Sequence, residues 1–588
     1  MRVLLVALNA KYVHTNLALR YLRESVRLVT PDVMLREFSI NDRLDRIAGE
    51  IYEAKADVVG FSCYIWNIQE VLAVVRHLRP VCPEVRFVFG GPEVSFAVEE
   101  FLQAHCEVDA LVLGEGEESF RDLLLAWREG GDPALVQGIA WKGDNKVHVN
   151  PPKETAPNLD ELPFPYTGTE DFSGRIVYIE TTRGCPFSCQ YCLSSTFQGV
   201  RYLEPERFRL MFRRLLEQGA RTIKFVDRTF NAHKRHAWRV LDVVREESSV
   251  LGLTSLVRVH CEMAGDLLDE EWMEYFRSYP QGLLQVEIGV QSTYQPTLEI
   301  VSRRQNFEHW KDFVPDMQAL GIPVHLDLIA GLPEENWTDF RTSFNDVYSA
   351  LPDMLQLGFL KVLKGSGLRR NSGRYGLLFT PDPPYTILET SALSHGKILQ
   401  LQRMEDVLDK YYNSGKFKHA LSEALRLFPT AFDFYHEFAE YWQKRHWFQR
   451  QWQGKALFDK LWEFIEWFGT QTARPTDFQD TRKTFLDALR FDYYLWERPN
   501  IFPDYFSLGS GPEANISSRR QEDIRRDGRW ADVIPEFLTM DRRQWNRNTA
   551  VAYFETDVLR KGEEAGWFLF FYQQGKAKVY RQDWSAEQ

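Results

Sequence analysis

The hydrophobic and polar positions of this chain follow three successive patterns. Over the first 149 residues, short apolar runs at 3–8, 58–63, 87–89 and 110–113 alternate with helical spacing at 17–29, 68–78 and 118–127. Strands separated by helices of that length predict a parallel, doubly wound sheet. Ligands on such a sheet sit outside the carboxyl ends of its strands, where the loops read N-A-K-Y-V-H-T-N, F-S-C-Y-I-W-N, F-G-G-P-E-V and G-E-G-E-E. Residues 150–173 hold Pro151, Pro152, Pro157, Pro163 and Pro165 with no helical period, the signature of a linker. Over 174–370 the alternation returns six times, with strands at 176–182, 222–227, 256–263, 284–290, 324–329 and 355–362 and amphipathic segments such as 207–217 and 309–320 between them. Six strand-helix units predict a partial parallel barrel whose mouth is the active site. From 380 to 588 the pattern becomes long, aromatic-laden helices (391–412, 416–427, 431–443, 455–468, 482–496). Strands at 551–556, 567–573 and 577–581 follow, the last two around a Gln574-Gly575 turn. The fold class is therefore α/β, with a mostly helical C-terminal domain.

Composition narrows the choice. A chain of 588 residues exceeds one core, and 44% apolar with 14% aromatic residues is enough to bury several. The net charge of -12 disfavours a globally electrostatic nucleic-acid binder. Cys63, Cys82, Cys106 and Cys261 are too scattered for a disulfide framework. The opening apolar stretch is short and soon meets Lys11, so neither a signal peptide nor a membrane span is expected, and no other run reaches the roughly 18 apolar residues of a spanning helix. A reducing cytoplasm is the expected location.

The sharpest chemical signal is T-T-R-G-C-P-F-S-C-Q-Y-C, in which Cys185, Cys189 and Cys192 stand as C-x-x-x-C-x-x-C after the first barrel strand, with Tyr191 before the last thiol. That spacing supplies three thiolates to a [4Fe-4S] cluster and leaves one iron open to S-adenosylmethionine (SAM). Structural zinc sites close with four ligands, and no fourth Cys or His lies nearby. Here the chain resembles the radical SAM superfamily, and the N-terminal segment ahead of such a core resembles the cobalamin-binding domain of cobalamin-dependent radical SAM enzymes. The loop positions that carry this second likeness are Gly90, Gly91, Pro92 and Glu93, then Gly114, Glu115 and Gly116, with His14, Ser62 and Tyr64 on the first two loops. The D-x-H-x-x-G signature of classical cobalamin proteins is absent, since Tyr12 and Leu17 occupy its other positions around His14. Cobalt is then expected to lack a protein ligand from that motif, and His14 either lies by the corrin or caps a helix. The C-terminal segment resembles an accessory domain of unassigned role.

The resemblance also implies SAM contacts, at Tyr191 in the cysteine loop and at barrel strand ends. Asp227 matches the position that meets the methionine amino group, and Arg258 is a candidate for its carboxylate, since guanidinium binds carboxylates bidentately. Glu287 and Gln291 match positions near the ribose and methionine, and backbone at Ile329 and Gly331 near the adenine, glycine permitting close approach. A charge on an inward strand costs several kcal/mol without a partner, which favours function for Asp227 and Glu287; Arg258 and Gln291 could equally buttress a neighbouring carboxylate. His260 shares a strand face with Arg258 by period-two alternation. Arg183, Asn231 and His233 receive no role.

With both cofactors, the resemblance implies a methyltransferase acting on an unactivated carbon. Rearrangement or cyclisation without methyl transfer is the alternative within the class, and a corrinoid and iron-sulfur sensor the alternative outside it. A reductant such as flavodoxin or ferredoxin is implied. The substrate is open, with a small molecule, lipid or peptide favoured; RNA enters through basic and aromatic interleaving at 444–452, 517–530 and 541–547.

Overall fold

A computed structural model describes residues 1–144, 146–153, 156–196, 199–471, 475–497, 503–508, 521–526, 534, 539–556, 558–559, 566–572 and 575–582. The chain divides into two compact units, one comprising 1–352 and 357–398, the other 353–356 and 399–588.

The first unit opens with a seven-stranded sheet in the order β2-β1-β3-β4-β5-β6-β7, built from β1 (Val3–Asn9), β2 (Val33–Ser39), β3 (Val58–Ser62), β4 (Arg86–Gly90), β5 (Ala110–Val112), β6 (Ile139–Gly143) and β7 (Lys146–Val149). The first five are parallel and the last two antiparallel. β1, β3 and β5 are apolar on both faces because two cores flank the sheet: one gathers Leu4, Phe61 and Phe89 against the helices Leu44–Glu53 and Ile68–Leu78, the other Val3, Leu5 and Val58 against Leu17–Arg27 and Glu117–Glu129. Strand order reverses at β1/β3, where a doubly wound sheet opens its crevice. Asn16 crosses that crevice: it caps the helix Leu17–Arg27 by accepting from Leu19 N and donates to Ser62 Oγ at 3.1 Å.

A six-stranded sheet follows in the order β15-β14-β13-β12-β11-β8. Its strands are β8 (Ile176–Ile179), β11 (Thr222–Phe225), β12 (Arg258–Met263), β13 (Leu284–Gln291), β14 (Val324–Ala330) and β15 (Met354–Phe359). Between β8 and β11 a short ribbon pairs β9 (Thr182–Gly184) antiparallel to β10 (Val200–Tyr202), framing the cysteine loop. Period-two alternation sends Val259, Cys261, Val286, Ile288, Leu326 and Leu328 into the helical layer, fully buried. The opposite face is polar: Tyr178, Lys224, His260 and Gln285 lie in one register row, with Glu262, Glu287 and His325 in the next. A small hairpin, β16 (Leu378–Phe379) with β17 (Ile387–Glu389), closes this unit.

The second unit is helical: His395–Leu408 from 399 onward, Lys418–Ala424, Ala431–Lys444, Lys455–Gln471 and Pro475–Trp496, then Arg542–Asn548. Its core is aromatic, with Tyr411, Phe438, Phe458 and Phe464 buried. Asp492 anchors one helix start, accepting from His419 N, His419 Nδ1 and Ala420 N. A three-stranded antiparallel sheet, β18 (Thr549–Phe554), β19 (Gly566–Phe571) and β20 (Lys578–Gln582), completes it; Gln574 of the expected turn lies outside the described residues. In the 444–452 interleave Trp447 is buried, Arg445 pairs with Glu463, and Lys460 covers the rings of Trp447 and Trp452. Trp545 of the 541–547 stretch is also core, while much of 517–530 lies outside the described residues.

Candidate active site

The cysteine loop leaves β9 and returns through β10, so its ends are fixed by a ladder and its middle is irregular. Cys189 is buried, while Cys185 and Cys192 are partly open. Cys192 N donates to Cys189 O, Cys185 Sγ lies 3.5 Å from Thr229 Oγ1, and Ser194 N approaches Cys192 Sγ at 3.4 Å. Arg303, past the short helix Gln295–Ile300, brings Nη1 to 3.8 Å from Cys189 Sγ and 3.1 Å from Tyr191 Oη, while its other end donates to Gly289 O. A guanidinium is thus held beside the thiol of Cys189. Burial pushes the Tyr191 hydroxyl up, keeping it protonated. Three thiols on one loop beside a fixed cation fit an iron-sulfur cluster. Among the described residues they are not drawn together as the ligands of a single ion would be.

Beside the loop a cleft of about 120 Å³ opens at the carboxyl ends of β12–β14, walled by Phe187, Arg228, Glu262, Glu287, Gln291 and Asp327. Its carboxyl groups are crowded. Glu287 Oε2 stands 3.0 Å from His260 Nε2, and its neighbours His260 and Lys224 hold it down at about 2 despite burial. Burial, with the adjacent Glu287 charge, pushes Asp327 up to about 9 and Glu262 up to about 7. At neutral pH Glu287 is thus the ionised member and Asp327 the proton-holding one. Gln291 ends β13 after a register shift, with φ +70, a conformation non-glycine residues adopt at a cost of about 1–3 kcal/mol.

The structure places Glu287 and Gln291 in the cleft wall, links Tyr191 and Cys189 to it through Arg303 and Cys185 through Thr229, and sets Ile329 on the inner row of β14 two residues beyond Asp327. It does not bring Arg258, which is exposed at the amino end of β12, five residues before Met263 at the cleft. Alternation placed Arg258 on the correct face but at the wrong end of the strand; the cations at the cleft are Arg228 and Arg303. Asp227 is also withdrawn from the cleft wall. It is wholly buried, its two oxygens accepting from Thr181 N, Thr181 Oγ1 and Thr182 Oγ1, so it clamps β11 to the start of the cysteine loop. Burial raises it to about 6. Gly331, with φ +84, faces the Ile387 side chain of the closing hairpin.

At the N-terminal sheet, the loops after β1, β3, β4 and β5 share one edge. Gly91 has φ +117, and a Cβ there would stand 2.5 Å from Cys63 O, so this turn admits only glycine. Ser95 ties two loops, donating to Gly91 O and accepting from Gly114 N, with Pro92 between and Gly90 closing β4. Gly116 precedes the helix Glu117–Glu129. Tyr64 stacks flat on the half-exposed Trp66, ring centres 4.3 Å apart. His14 caps no helix, a role Asn16 fills; its Nδ1 lies 2.7 Å from Tyr178 Oη of β8, and burial lowers its basicity. Two expected corrin contacts are otherwise engaged. Glu115 pairs with Arg183 and Arg201 of the barrel, and Glu93 is buried against Lys364 and the Tyr385 hydroxyl.

Residues not singled out from sequence include Arg303, Glu262, Asp327, His325 and Lys224. The last four lie on the same alternating face as His260 and Glu287, a signal present in the strand pattern; Arg303 has none, since a loop brings it there. Arg183, given no role from sequence, binds Glu180, Glu115 and Glu117 together.

Comparison with known families agrees with this architecture. Residues 3–124 match the B12 binding domain, 179–347 the radical SAM superfamily, and 373–570 a protein family of unknown function, DUF4080. The chain therefore joins a B12-binding domain to a radical SAM domain. Among its relatives are the cobalamin-dependent radical SAM methyltransferase TokK of Streptomyces tokunonensis, 28% identical over 50% of this chain and 45% of that one, and the anaerobic magnesium-protoporphyrin IX monomethyl ester cyclase of Rubrivivax gelatinosus, 25% identical over 55% and 60%. The chain thus spans about half the length of the curated relatives it matches. Among solved structures, the cobalamin-dependent SAM radical enzyme OxsB covers 84% of this chain and 80% of its own with a TM-score of 0.57 at 14% identity, a likeness of fold.

Proposed function

We propose that this chain is a cobalamin-dependent radical SAM enzyme, most simply a methyltransferase that places a methyl group on an unactivated carbon. The observation that carries the reading is a three-thiol loop opening beside a polar barrel cleft, preceded by a sheet whose loop edge is shaped by glycine. When bound, a [4Fe-4S] cluster supplies the electron that cleaves SAM to a 5'-deoxyadenosyl radical, and cobalamin carries the methyl group. Cys185, Cys189 and Cys192 would hold the cluster, with Arg303 balancing thiolate charge at Cys189. Glu287, ionised in the cleft, suits the amino group of SAM, and Arg228 its carboxylate. Proton-holding Asp327 can donate to an acceptor on either cosubstrate or substrate. The edge bearing Ser62, Tyr64, Gly90, Gly91 and Gly114 would take the corrinoid.

Anaerobic reconstitution followed by incubation with methyl-labelled SAM and dithionite tests this. The expected result is 5'-deoxyadenosine formation that disappears in Cys185→Ala, Cys189→Ala and Cys192→Ala, with label entering any substrate turned over. Turnover without label transfer would favour rearrangement or cyclisation, the reading supported by the cyclase relative. Absence of 5'-deoxyadenosine from cluster-loaded protein would refute an enzyme of this class.

A further inference from the structure

Next to the cleft, the barrel interior holds three side chains of which the proposed function uses only Glu287. His260 of β12, Glu287 of β13 and His325 of β14 come from three adjacent strands, and each presents a ligand atom within 4.8 Å of the other two. His260 is buried, and its Nε2 has no hydrogen-bond partner, although it points to within 3.0 Å of Glu287 Oε2. That contact is an ion pair when His260 carries a proton, and a metal ion would take the proton's place between the two atoms. Two ligands each about 2.1 Å from a metal lie about 3.0 Å apart at octahedral angles and about 3.4 Å apart at tetrahedral ones, so the pair needs little or no movement to hold an ion. Gln285, its amide nitrogen 2.5 Å from His325 Nε2, flanks the third ligand and can orient its ring.

We propose that His260, Glu287 and His325 form a mononuclear site for a divalent transition-metal ion, distinct from the cysteine loop. Two imidazoles and one carboxylate on one side of an ion are the ligand set of zinc and non-haem iron(II) centres, and they leave the opposite side open. Glu287 also walls the cleft, so the open side faces the space a substrate enters, and the ligand it would take there is an anionic oxygen group such as a carboxylate or phosphate. Lys224, beside His260 on β11, is the cation that competes with a metal for Glu287.

Full-length protein carrying its reconstituted cluster is incubated with zinc chloride, desalted, and its metals counted. The expected result is about one zinc per chain beyond the cluster iron, falling to less than a tenth of that in His260→Ala and His325→Ala while the iron content is unchanged. Zinc X-ray absorption on the wild-type protein keeps the test independent of how those variants fold: it should show only nitrogen and oxygen neighbours at about 2.0–2.2 Å. No zinc retained by the wild type, retention by both variants equal to that of the wild type, or sulfur neighbours at about 2.3 Å would each overturn the assignment.

Discussion

Replacing Arg183 with methionine keeps the bulk of the side chain and removes the charge that holds three carboxylates of two domains. Arg183 donates to Glu180 at 2.8 Å, Glu117 at 2.5 Å and Glu115 at 3.0 Å, and it lies over the ring of Tyr21. In the variant Glu115 retains Arg201, but Glu117 and Glu180, each 8% exposed, lose the guanidinium that pairs them. Stranding buried charge by deleting its partner costs about 3–5 kcal/mol. The expected loss of stability at neutral pH is of that size, read from urea unfolding followed by tryptophan fluorescence. Because the three carboxylates share one cation, Glu117→Gln should cost far less in the Arg183→Met background than in the wild type, with a coupling of about 1–3 kcal/mol. A loss below about 1 kcal/mol, or single-variant effects additive to within about 0.5 kcal/mol, would refute the shared-cation account.

Two further expectations follow from the cleft and the loop edge. Asp327 is raised from 3.8 to about 9, so the folded state holds a proton there that the unfolded state releases; its contribution is full below the unfolded value and is lost as pH rises to about 9, and Asp327→Asn should flatten that decline in the urea midpoint across the interval between the two values. A variant that declines as steeply as the wild type would show that another group holds the proton. Gly91→Ala forces a Cβ against Cys63 O at positive φ and should destabilise the first unit by at least about 1–3 kcal/mol, with weaker retention of added hydroxocobalamin in gel filtration; unchanged stability would remove the close-approach argument.

The alternation of strands and helices was readable because β1, β3 and β5 are buried on both faces and the barrel strands on one, which imposes strong apolar periods. β2 went unread: Val33–Ser39 is an edge strand whose exposed Arg36 and partly buried neighbours break the pattern. The cysteine loop was legible because its chemistry is written in spacing. The cleft was only half legible, since alternation tells which face a residue takes but not which end of the strand is open, and this misplaced Arg258 while hiding Asp327. Asp227 could not be separated by sequence from a ligand-binding carboxylate, because its threonine partners Thr181 and Thr182 come from another strand end. Glu93 and Glu115 were read as loop tips facing a ligand, whereas each is occupied by a cation from far along the chain.

Glu93 has a consequence for how such a chain can be inherited. Its carboxylate is met by Lys364 and Tyr385, residues that follow the last barrel strand, so the segment after the barrel reaches back to complete the opening domain. A truncation after Phe359 would leave this acid sealed without its counterion, and a recombination event that exchanged the first 149 residues would leave Lys364 and Tyr385 without the carboxylate they meet. The opening domain and the post-barrel strap are therefore expected to travel through evolution as one heritable block, and chimaeras that split them should fail at folding before any question of catalysis arises.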